Sequence, residues 1–403
     1  MISVEEALSR VLGAFAPLPA ETVSLSEALG RVLAEDVTSA LTQPPRDVSA
    51  MDGYAVRAAD VAESPVDLEV VAEIAAGASF EGRLGPGQAA RIFTGAPLPA
   101  GADTIVIQEN TEAGDGRVRV LEGAAAGRYV RPAGLDFRAG DLGVPAGRRL
   151  TSRDIGLAAA MNRPWVRVRR KPRVAILSTG DELVLPGEAL GANQIIASNG
   201  FSLSAFVSVA GGLPLHLGIA GDRHESLAAA LDQAAGADLL ITSGGASVGK
   251  HDLVQSALVE RGMALDFWKI AMRPGKPLMF GKLGGTPVLG LPGNPVSGLV
   301  CALLFLKPAL SALLGLQDPD ITETAVLGRA LGENDERQDY LRARLTRDSA
   351  GRATATPFER QDSSMLATLA QADCLVVRPP HAPAIAAGEN VTILRLGGTF
   401  LGV

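Results

Sequence analysis

The fold is decided by the stretch KPRVAILSTGDEL at residues 171–183. Its run RVAILS (173–178) is short, apolar and followed by a Thr-Gly-Asp turn, which is the pattern of a buried strand. Similar runs follow at LHLGIA (215–220), DLLITS (238–243), LDFWKI (265–270) and TPVLGL (286–291). Helical patterns lie between several of them, at 198–209, 224–235, 252–261 and 296–314. Alternating strands and helices predict a doubly wound, mainly parallel α/β sheet.

The flanking sequence has a different character. Ser3 and Glu6 form a capping box ahead of apolar residues at helical spacing, which predicts a helix at about 4–15. A second short helix is expected to start at Ser26. Residues 151–162 also have a helical pattern, and we expect this piece to join the N-terminal helices.

Changes in composition divide the chain into four predicted domains. Gly, Pro and short alternating runs are typical of β structure, and they dominate two segments. The predicted domains are a discontinuous N-terminal helical and mixed domain (1–42 plus 139–169), an inserted mainly β domain (43–138), the α/β domain (170–317) and a small C-terminal β domain (318–403).

Bulk composition excludes several classes of protein. Hydrophobic residues make up 47% of the 403 residues and charged residues 20%, which argues against wholesale disorder. The net charge of −7 disfavours a nucleic-acid binder, although a local basic cluster can still hold an anion. The two cysteines, Cys301 and Cys374, support neither a disulfide framework nor a zinc site. With no secretory signal pattern at the start, we expect a cytoplasmic protein.

One apolar segment, at 296–316, is long enough to span a bilayer. Lys307 and Pro308 lie near its middle, however, and it directly follows a predicted strand and a Gly/Pro loop. We therefore predict a buried helix of the α/β domain and no membrane association.

Polar and glycine-rich loops follow four of the predicted strands. Because ligands bind outside the carboxyl ends of strands in a doubly wound sheet, these loops predict one cleft. The loops are Ser178-Thr179-Gly180-Asp181-Glu182, Gly221-Asp222, Ser243-Gly244-Gly245-Ala246-Ser247-Val248-Gly249 and Pro292-Gly293-Asn294-Pro295.

The loop at 243–252 is the most informative of the four. Its glycines let backbone N–H groups approach a phosphate closely, although a plain strand-to-helix turn would look the same. It is not a Walker A loop, because Lys250 is followed by His251.

Cations and carboxylates accompany these loops. Lys269, Arg273 and Lys276 lie within eight residues on a proline-stiffened segment, which favours an anion clamp over a solvated loop. Carboxylates near phosphates usually mean Mg²⁺, and the candidates are Asp181, Glu182, Asp222 and Asp252. Asp252 would serve equally well as a helix N-cap.

Six motifs carry a resemblance to a known family. They are SAMDGYAVR (49–57), RIFTGAPLP (91–99), STGDEL (178–183), SGGASVG (243–249), PGKP (274–277) and LPGNPVS (291–297). Together, and in this order, they resemble the molybdopterin molybdenumtransferases, the MoeA family, which includes the gephyrin E-domain. Any one motif alone would be weak.

The resemblance implies an elongated homodimer of four-domain subunits. It implies an enzyme that takes molybdate and adenylylated molybdopterin with a divalent cation, Mg²⁺, and yields molybdenum cofactor and AMP. The cleft would combine the α/β domain of one subunit with the inserted domain of the other, which would contribute Asp52 and Thr94.

The resemblance also assigns residues. Those with catalytic roles would be Asp52, Thr94, Asp136, Glu182, Lys269, Arg273 and Lys276. Those that bind the substrates would be Ser178, Thr179, Gly180, Asp181, Ser243, Gly244, Gly245, Ser247, Gly249, Pro292, Gly293, Asn294, Pro295, Arg342 and Ser363 or Ser364. Asp222 and Asp252 would hold the metal. Arg273 stands where many members have lysine, so its contact need not be equivalent.

Two other functions stay open from the sequence. The molybdopterin adenylyltransferases resemble the α/β domain alone, with a TGGTG loop in place of SGGASVG. A non-catalytic scaffold of the gephyrin type would bind a receptor peptide. The sequence does not separate molybdate from tungstate. We expect molybdopterin adenylyltransferase and cofactor-accepting molybdoenzymes as partners, and no nucleic acid.

Overall fold

The chain forms two compact units in a computed structural model that describes residues 1–244, 253–316 and 322–397. One unit comprises Met1–Glu35, Ala146–Arg153 and Val166–Val403, and the other comprises Asp36–Pro145 and Asp154–Trp165. The finer division into four domains stays a prediction.

A six-stranded sheet forms the centre of the first unit. Its order is Leu213–Ala220, Arg173–Thr179, Leu239–Ser243, Thr286–Leu291, Met279–Leu283 and Met263–Trp268. The first four strands are parallel, which confirms the mainly parallel sheet. Met279–Leu283 runs antiparallel to both of its neighbours, and the sequence pattern did not predict this strand.

Alternate residues of the strand Arg173–Thr179 enter two different cores, which is the mark of a doubly wound sheet. Val174 and Ile176 pack with the helices Asn199–Val209 and Pro295–Leu314. Ala175 and Leu177 pack on the opposite face with residues of the helices His224–Asp232 and Leu253–Glu260.

The apolar helix predicted at 296–314 is part of the core. It consists of Pro295–Cys301, a π-helical segment Ala302–Leu306, and Lys307–Leu314. Although it is long and apolar enough to cross a membrane, 67% of its most apolar window is buried inside the protein. The π segment ends two residues before Pro308, which cannot donate a backbone hydrogen bond to an earlier turn.

The N-terminal helix Val4–Leu12 starts where the capping box predicted, since Ser3 Oγ accepts a 3.0 Å hydrogen bond from Glu6 N–H. The predicted helix at Ser26 is wrong. Only one 3₁₀ turn forms there, Leu25–Glu27, and at Gly30 the backbone has a φ of +73° that ends any helical run.

The C-terminal β structure of the first unit closes into a barrel. Its five strands pair in the cyclic order Gln338–Arg347, Ala353–Pro357, Thr322–Leu327, Asn390–Arg395 and Cys374–Arg378. The short strand Met272–Arg273 pairs in parallel with the first two residues of Gln338–Arg347, and this pairing connects the basic loop of the α/β sheet to the barrel. A small helix, Leu366–Ala370, lies between two barrel strands in sequence.

The second unit is mainly β, as predicted. Its six-stranded mixed sheet has the order Thr104–Ile107, Gly53–Val56, Gln88–Ile92, Val66–Ile74, Arg117–Val120 and Thr111–Ala113.

The other short elements of the described chain are the strands Ala20–Ser24, Val37–Thr38, Val48–Ser49, Val130–Arg131, Leu142–Val144, Trp165–Arg169, Leu183–Val184 and Ile195–Ile196, the 3₁₀ turns Ala58–Asp60 and Gln108–Asn110, and the helix Ser152–Ala160.

Gly53 is packed so tightly that any side chain there should destabilise the second unit. A Cβ at this position would lie 2.0 Å from the carbonyl oxygen of Val106 on the neighbouring strand. We expect Gly53→Ala to lower the free energy of unfolding by about 1–3 kcal/mol, measured by urea denaturation. Gly156→Ala is the control, because a Cβ there meets nothing within 4 Å and alanine favours the helix by up to about 1 kcal/mol. Equal urea midpoints for Gly53→Ala and wild type would refute the close contact.

Candidate functional site

A cavity of about 1020 Å³ lies at the carboxyl ends of the parallel strands, where the loops were expected to converge. Most of the predicted residues of the first unit line it. They are Ser178, Thr179, Gly180, Glu182, Asp222, Ser243, Gly244, Arg273, Lys276, Pro292, Gly293, Asn294, Pro295, Ser363 and Ser364.

The loops at the base of this cavity contact one another through their backbones. Gly244 has a φ of +98°, and a Cβ there would lie 2.6 Å from the carbonyl oxygen of Thr179. Its N–H donates to the carbonyl of Leu291 at 3.2 Å, at the start of the Pro-Gly-Asn-Pro loop. Glycine is therefore required at 244, because the neighbouring strand end leaves no room for a side chain.

Buried hydroxyls lie beside these loops. Ser178 Oγ, Thr179 Oγ1 and Thr242 Oγ1 are buried and have no hydrogen-bond partner within the described part of the chain. Two of them, on Ser178 and Thr179, belong to residues that line the cavity. Since a buried hydroxyl without a partner is costly, these two groups are suited to a polar ligand.

The three predicted cations have different surroundings. Lys276 lines the cavity and has no ion pair among the described residues. Arg273 also lines it, but its guanidinium binds Asp339 and lies 3.1 Å from Asp335, and the hydrogen bond to Asp339 raises the pKa of Arg273. Lys269 is not part of the lining; its Nζ lies 3.9 Å from the centre of the Trp268 ring.

The predicted metal ligands are brought together only in part. Glu182 and Asp222 line the cavity, and Asp181 Oδ1 accepts a 3.0 Å hydrogen bond from the N–H of Asp222. No cluster of three or more His, Cys, Asp or Glu that could hold a metal is present in residues 1–244, 253–316 and 322–397. Asp252 lies outside the described residues, as do Gly245, Ser247 and Gly249.

The barrel contributes one wall of the cavity. Asn294 Nδ2 donates to Ser363 Oγ at 2.7 Å, and hydrogen bonds from Ser364 to Asp362 lower the pKa of that carboxyl. Arg342 is only 1% exposed and lies outside the lining, where it binds Gln361 Oε1 at 3.2 Å and the carbonyl of Met365. Its NH2 nitrogen has no partner in the described chain.

Asp52 and Thr94 form a hydrogen-bonded pair in the second unit. Asp52 Oδ1 accepts from the N–H of Thr94 at 2.7 Å and from its hydroxyl at 2.8 Å. These two bonds, helped by the charge of Arg91, lower the pKa of Asp52. Arg91 is fixed over the rings of Tyr54 and Phe93, at 5.1 Å and 5.0 Å from their centres.

Comparison with known proteins identifies the family of the chain. Three family descriptions match in order: MoeA N-terminal region (domain I and II) at residues 2–162, probable molybdopterin binding domain at 175–312, and MoeA C-terminal region (domain IV) at 324–396. A molybdopterin molybdenumtransferase from a Nostoc species is 40% identical over 387 residues, which cover 93% of this chain and 88% of the relative. The chain belongs to the MoeA family.

Two further proteins match this chain along nearly their whole length. The molybdopterin molybdenumtransferase of Haemophilus influenzae is 34% identical, and the alignment covers 98% of each chain. The solved structure of the molybdopterin biosynthesis MoeA protein from Pyrococcus horikosii has a TM-score of 0.86 and 35% identity, and covers 99% of this chain and 100% of that chain. The large cavity lies mainly within the part matched to the probable molybdopterin binding domain.

The MoeA resemblance also selected Asp136, which lies in the second unit. It lines a separate cavity of about 670 Å³, together with Arg46, Arg131 and Gly95. Gly95 directly follows Thr94 in sequence, so one loop contributes both to this cavity and to the Asp52–Thr94 pair.

Several residues that line the large cavity were not predicted from the sequence. They are Leu183, Ile195, Ile196, Asn199, Arg337, Gln361 and Asp362. Asn199 follows Ala197-Ser198 and resembles an ordinary helix start, and Gln361 and Asp362 belong to a domain whose loops carry no glycine-rich signal. Only Ile195 and Ile196 gave a usable signal, as apolar residues in a polar, Gly-containing segment.

The hydrogen bond from the Thr94 hydroxyl should lower the pKa of Asp52 relative to an Asp52 that lacks this bond. We expect Thr94→Val to raise this pKa, but only in part, because the backbone N–H bond is the larger cause and remains. The measurement is an NMR titration of ¹³C-labelled aspartate carboxyls. Thr94→Ser restores a hydroxyl and should return the pKa towards that of wild type; a Thr94→Val titration identical to wild type would contradict the assigned pair.

Proposed function

We propose that this protein inserts molybdate into adenylylated molybdopterin, releasing AMP and forming molybdenum cofactor. The observation that carries the proposal is the cavity at the strand ends, with glycine-rich backbone, Lys276 and the Pro292–Pro295 loop on its lining. Its volume of about 1020 Å³ suits a ligand of the size of a nucleotide-linked pterin.

The physical problem is to hold two anions together. Molybdate is a dianion, and the adenylylated pterin carries a pyrophosphate. Two unit charges 4 Å apart interact by about 4 kcal/mol at an effective dielectric constant of 20, so their repulsion must be offset. Lys276 offers an unpaired cation, and Arg342 has one nitrogen without a partner beside the barrel wall. We propose that Lys276 meets the phosphates and that Ser363 meets the oxyanion, with the buried Arg342 adding positive charge from behind Gln361, which lines the cavity.

The residues present fit a magnesium ion that arrives with the phosphates. Mg²⁺ in such sites is usually held by one or two carboxylates plus substrate phosphates and water, so a protein cluster of three is not needed. We propose Asp222 and Asp252 as its ligands, with Asp181 fixing the backbone of Asp222. The ion would neutralise charge on the phosphoanhydride as AMP leaves.

No protein nucleophile is needed in this reaction. Burial raises the pKa of both thiols, that of Cys374 to about 11, and neither residue lines the cavity. None of the three histidines of the described residues, His216, His224 and His381, lines the cavity, so none is placed to activate a nucleophile there. Water is therefore the proposed acceptor of the AMP group, and the protein's part is positioning and charge.

A second copy of the chain completes the proposal. In a homodimer, Asp52, Thr94 and Asp136 of that copy would face the substrate, with Asp52 ionised because Thr94 holds its carboxylate. We further propose a cytoplasmic protein that receives its substrate from molybdopterin adenylyltransferase and delivers cofactor to molybdoenzymes.

The decisive assay is AMP release from purified adenylylated molybdopterin, with and without molybdate. We expect wild type to release AMP in a molybdate-dependent way and Lys276→Ala to raise KM about tenfold or more, since a charged hydrogen bond contributes about 1.5–3 kcal/mol. Lys282→Ala is the matched control, because Lys282 lies on the strand Met279–Leu283 away from the cavity lining. AMP release that does not depend on molybdate would overturn the proposed function. Adenylylation of molybdopterin with ATP would overturn it as well.

Magnesium dependence can be assigned to Asp222 in the same assay. Removing one carboxylate ligand weakens metal binding, so Asp222→Asn should raise the Mg²⁺ concentration for half-maximal AMP release about tenfold, with activity recovered at high Mg²⁺. Asp67→Asn makes the same charge change at an exposed position of the strand Val66–Ile74 in the second unit and should behave as wild type. If Asp222→Asn and wild type share one Mg²⁺ dependence, Asp222 is not a ligand.

A further inference from the structure

Asn199 is a polar side chain of the cavity lining that is fixed by contacts to two strand ends. It begins the helix Asn199–Val209, and its Nδ2 donates both to Ser243 Oγ at 2.9 Å and to the carbonyl oxygen of Gly293 at 2.7 Å. One carboxamide thus joins the helix to the ends of two strands. The side chain cannot turn without breaking bonds on both sides.

These contacts also determine which terminal atom of the Asn199 carboxamide is the nitrogen and which is the oxygen. The Gly293 carbonyl can only accept a hydrogen bond, so the atom that faces it must be the nitrogen. Both hydrogens of Nδ2 are used, and the remaining group, Oδ1, receives no hydrogen bond from any described residue. Asn199 therefore presents a carbonyl acceptor in one orientation.

An apolar surface lies in the same cavity. Ile195 and Ile196 form a short strand beside Leu183–Val184, and both line the cavity although they are 57% and 40% exposed. Leu183 and Ala197 add to the same lining. Exposed isoleucines in a concave site favour a flat ring that packs against them.

We propose that Asn199 is a specificity residue whose Oδ1 accepts a hydrogen bond from the exocyclic amino group of a flat nitrogen heterocycle packed on Ile195 and Ile196. The inference rests on the proposed function, whose substrate contains two such groups, the 2-amino group of pterin and the 6-amino group of adenine. The chemistry they share is an aromatic amine, and a fixed acceptor discriminates against a ring without one because its oxygen would be left unpaired.

The test measures discrimination rather than affinity. Calorimetry would compare pterin with 4-hydroxypteridine, which lacks the amino group, and AMP with purine riboside 5′-monophosphate, which lacks the amino group of adenine. We expect wild type to favour the amino form about five- to tenfold in one of the two arms, which identifies the heterocycle. In Asn199→Leu, the preference in that arm should fall to about one.

Two further variants separate a specificity role of Asn199 from a structural role. Asn199→Asp retains an oxygen acceptor but cannot donate to Gly293, so it should bind both ligands of a pair more weakly and keep the preference. Asn110→Leu removes a carboxamide that donates to Glu122 in the second unit, away from the cavity lining, and should match wild type. A merely structural role of Asn199 would weaken both ligands of a pair equally.

Failure of this inference is distinct from failure of the proposed function. A wild type that shows no preference in either arm, or a preference that survives in Asn199→Leu, overturns the role of Asn199 while leaving molybdate-dependent AMP release intact. Absence of AMP release by wild type would instead remove the proposed function, whatever the binding data show.

Discussion

The close backbone contact between Gly244 and Thr179 is the constraint on which the cavity depends. Two parallel strands end side by side, and their loops can remain in contact only because a Cβ is missing at 244, where it would lie 2.6 Å from a carbonyl oxygen. The third strand joins them through the bond from Gly244 N–H to Leu291, and the Asn199 carboxamide spans the same loops. Polar groups from distant parts of the chain therefore meet on a rigid base, which lowers the entropic cost of arranging them around a substrate.

A second constraint is the ion pair of Arg273 with Asp339. Asp339 is 5% exposed, and a carboxylate so deeply buried is strongly destabilising unless a cation accompanies it. The guanidinium of Arg273 is thus committed to the junction between the basic loop and the barrel, where the strand Met272–Arg273 pairs with Gln338–Arg347. The position of Arg273 orients the loop that carries Lys276. A substrate that contacted Arg273 directly would have to compete for its guanidinium with Asp335 and Asp339.

Sequence alone predicted what depends on local pattern and on the geometry of parallel sheets. Strand ends such as Ser178 and Ser243 could be placed in one cavity because parallel strands end at one edge. Asn199 could not, since its role comes from partners 44 and 94 residues away that no local pattern encodes. The reversed strand Met279–Leu283 was missed for a related reason, because its direction follows from pairing with both neighbours rather than from composition. Asp52 and Thr94, 42 residues apart, were selected only by family resemblance.

The charge balance of the described lining bears on how two anions could enter this cavity. Its carboxylates are Glu182, Asp222 and Asp362, and its cations are Arg273, Lys276 and Arg337. Both arginines are paired with Asp335 or Asp339, which leaves Lys276 as the one cation of the described lining without an acidic partner. One lysine against three carboxylates does not attract a pyrophosphate and a molybdate dianion by itself, since each close charge pair matters by several kcal/mol at low effective dielectric. A divalent cation would reverse this balance, because it would bind a carboxylate such as Asp222 as a ligand instead of leaving it to repel the phosphates. The charge balance therefore supports the proposed magnesium ion.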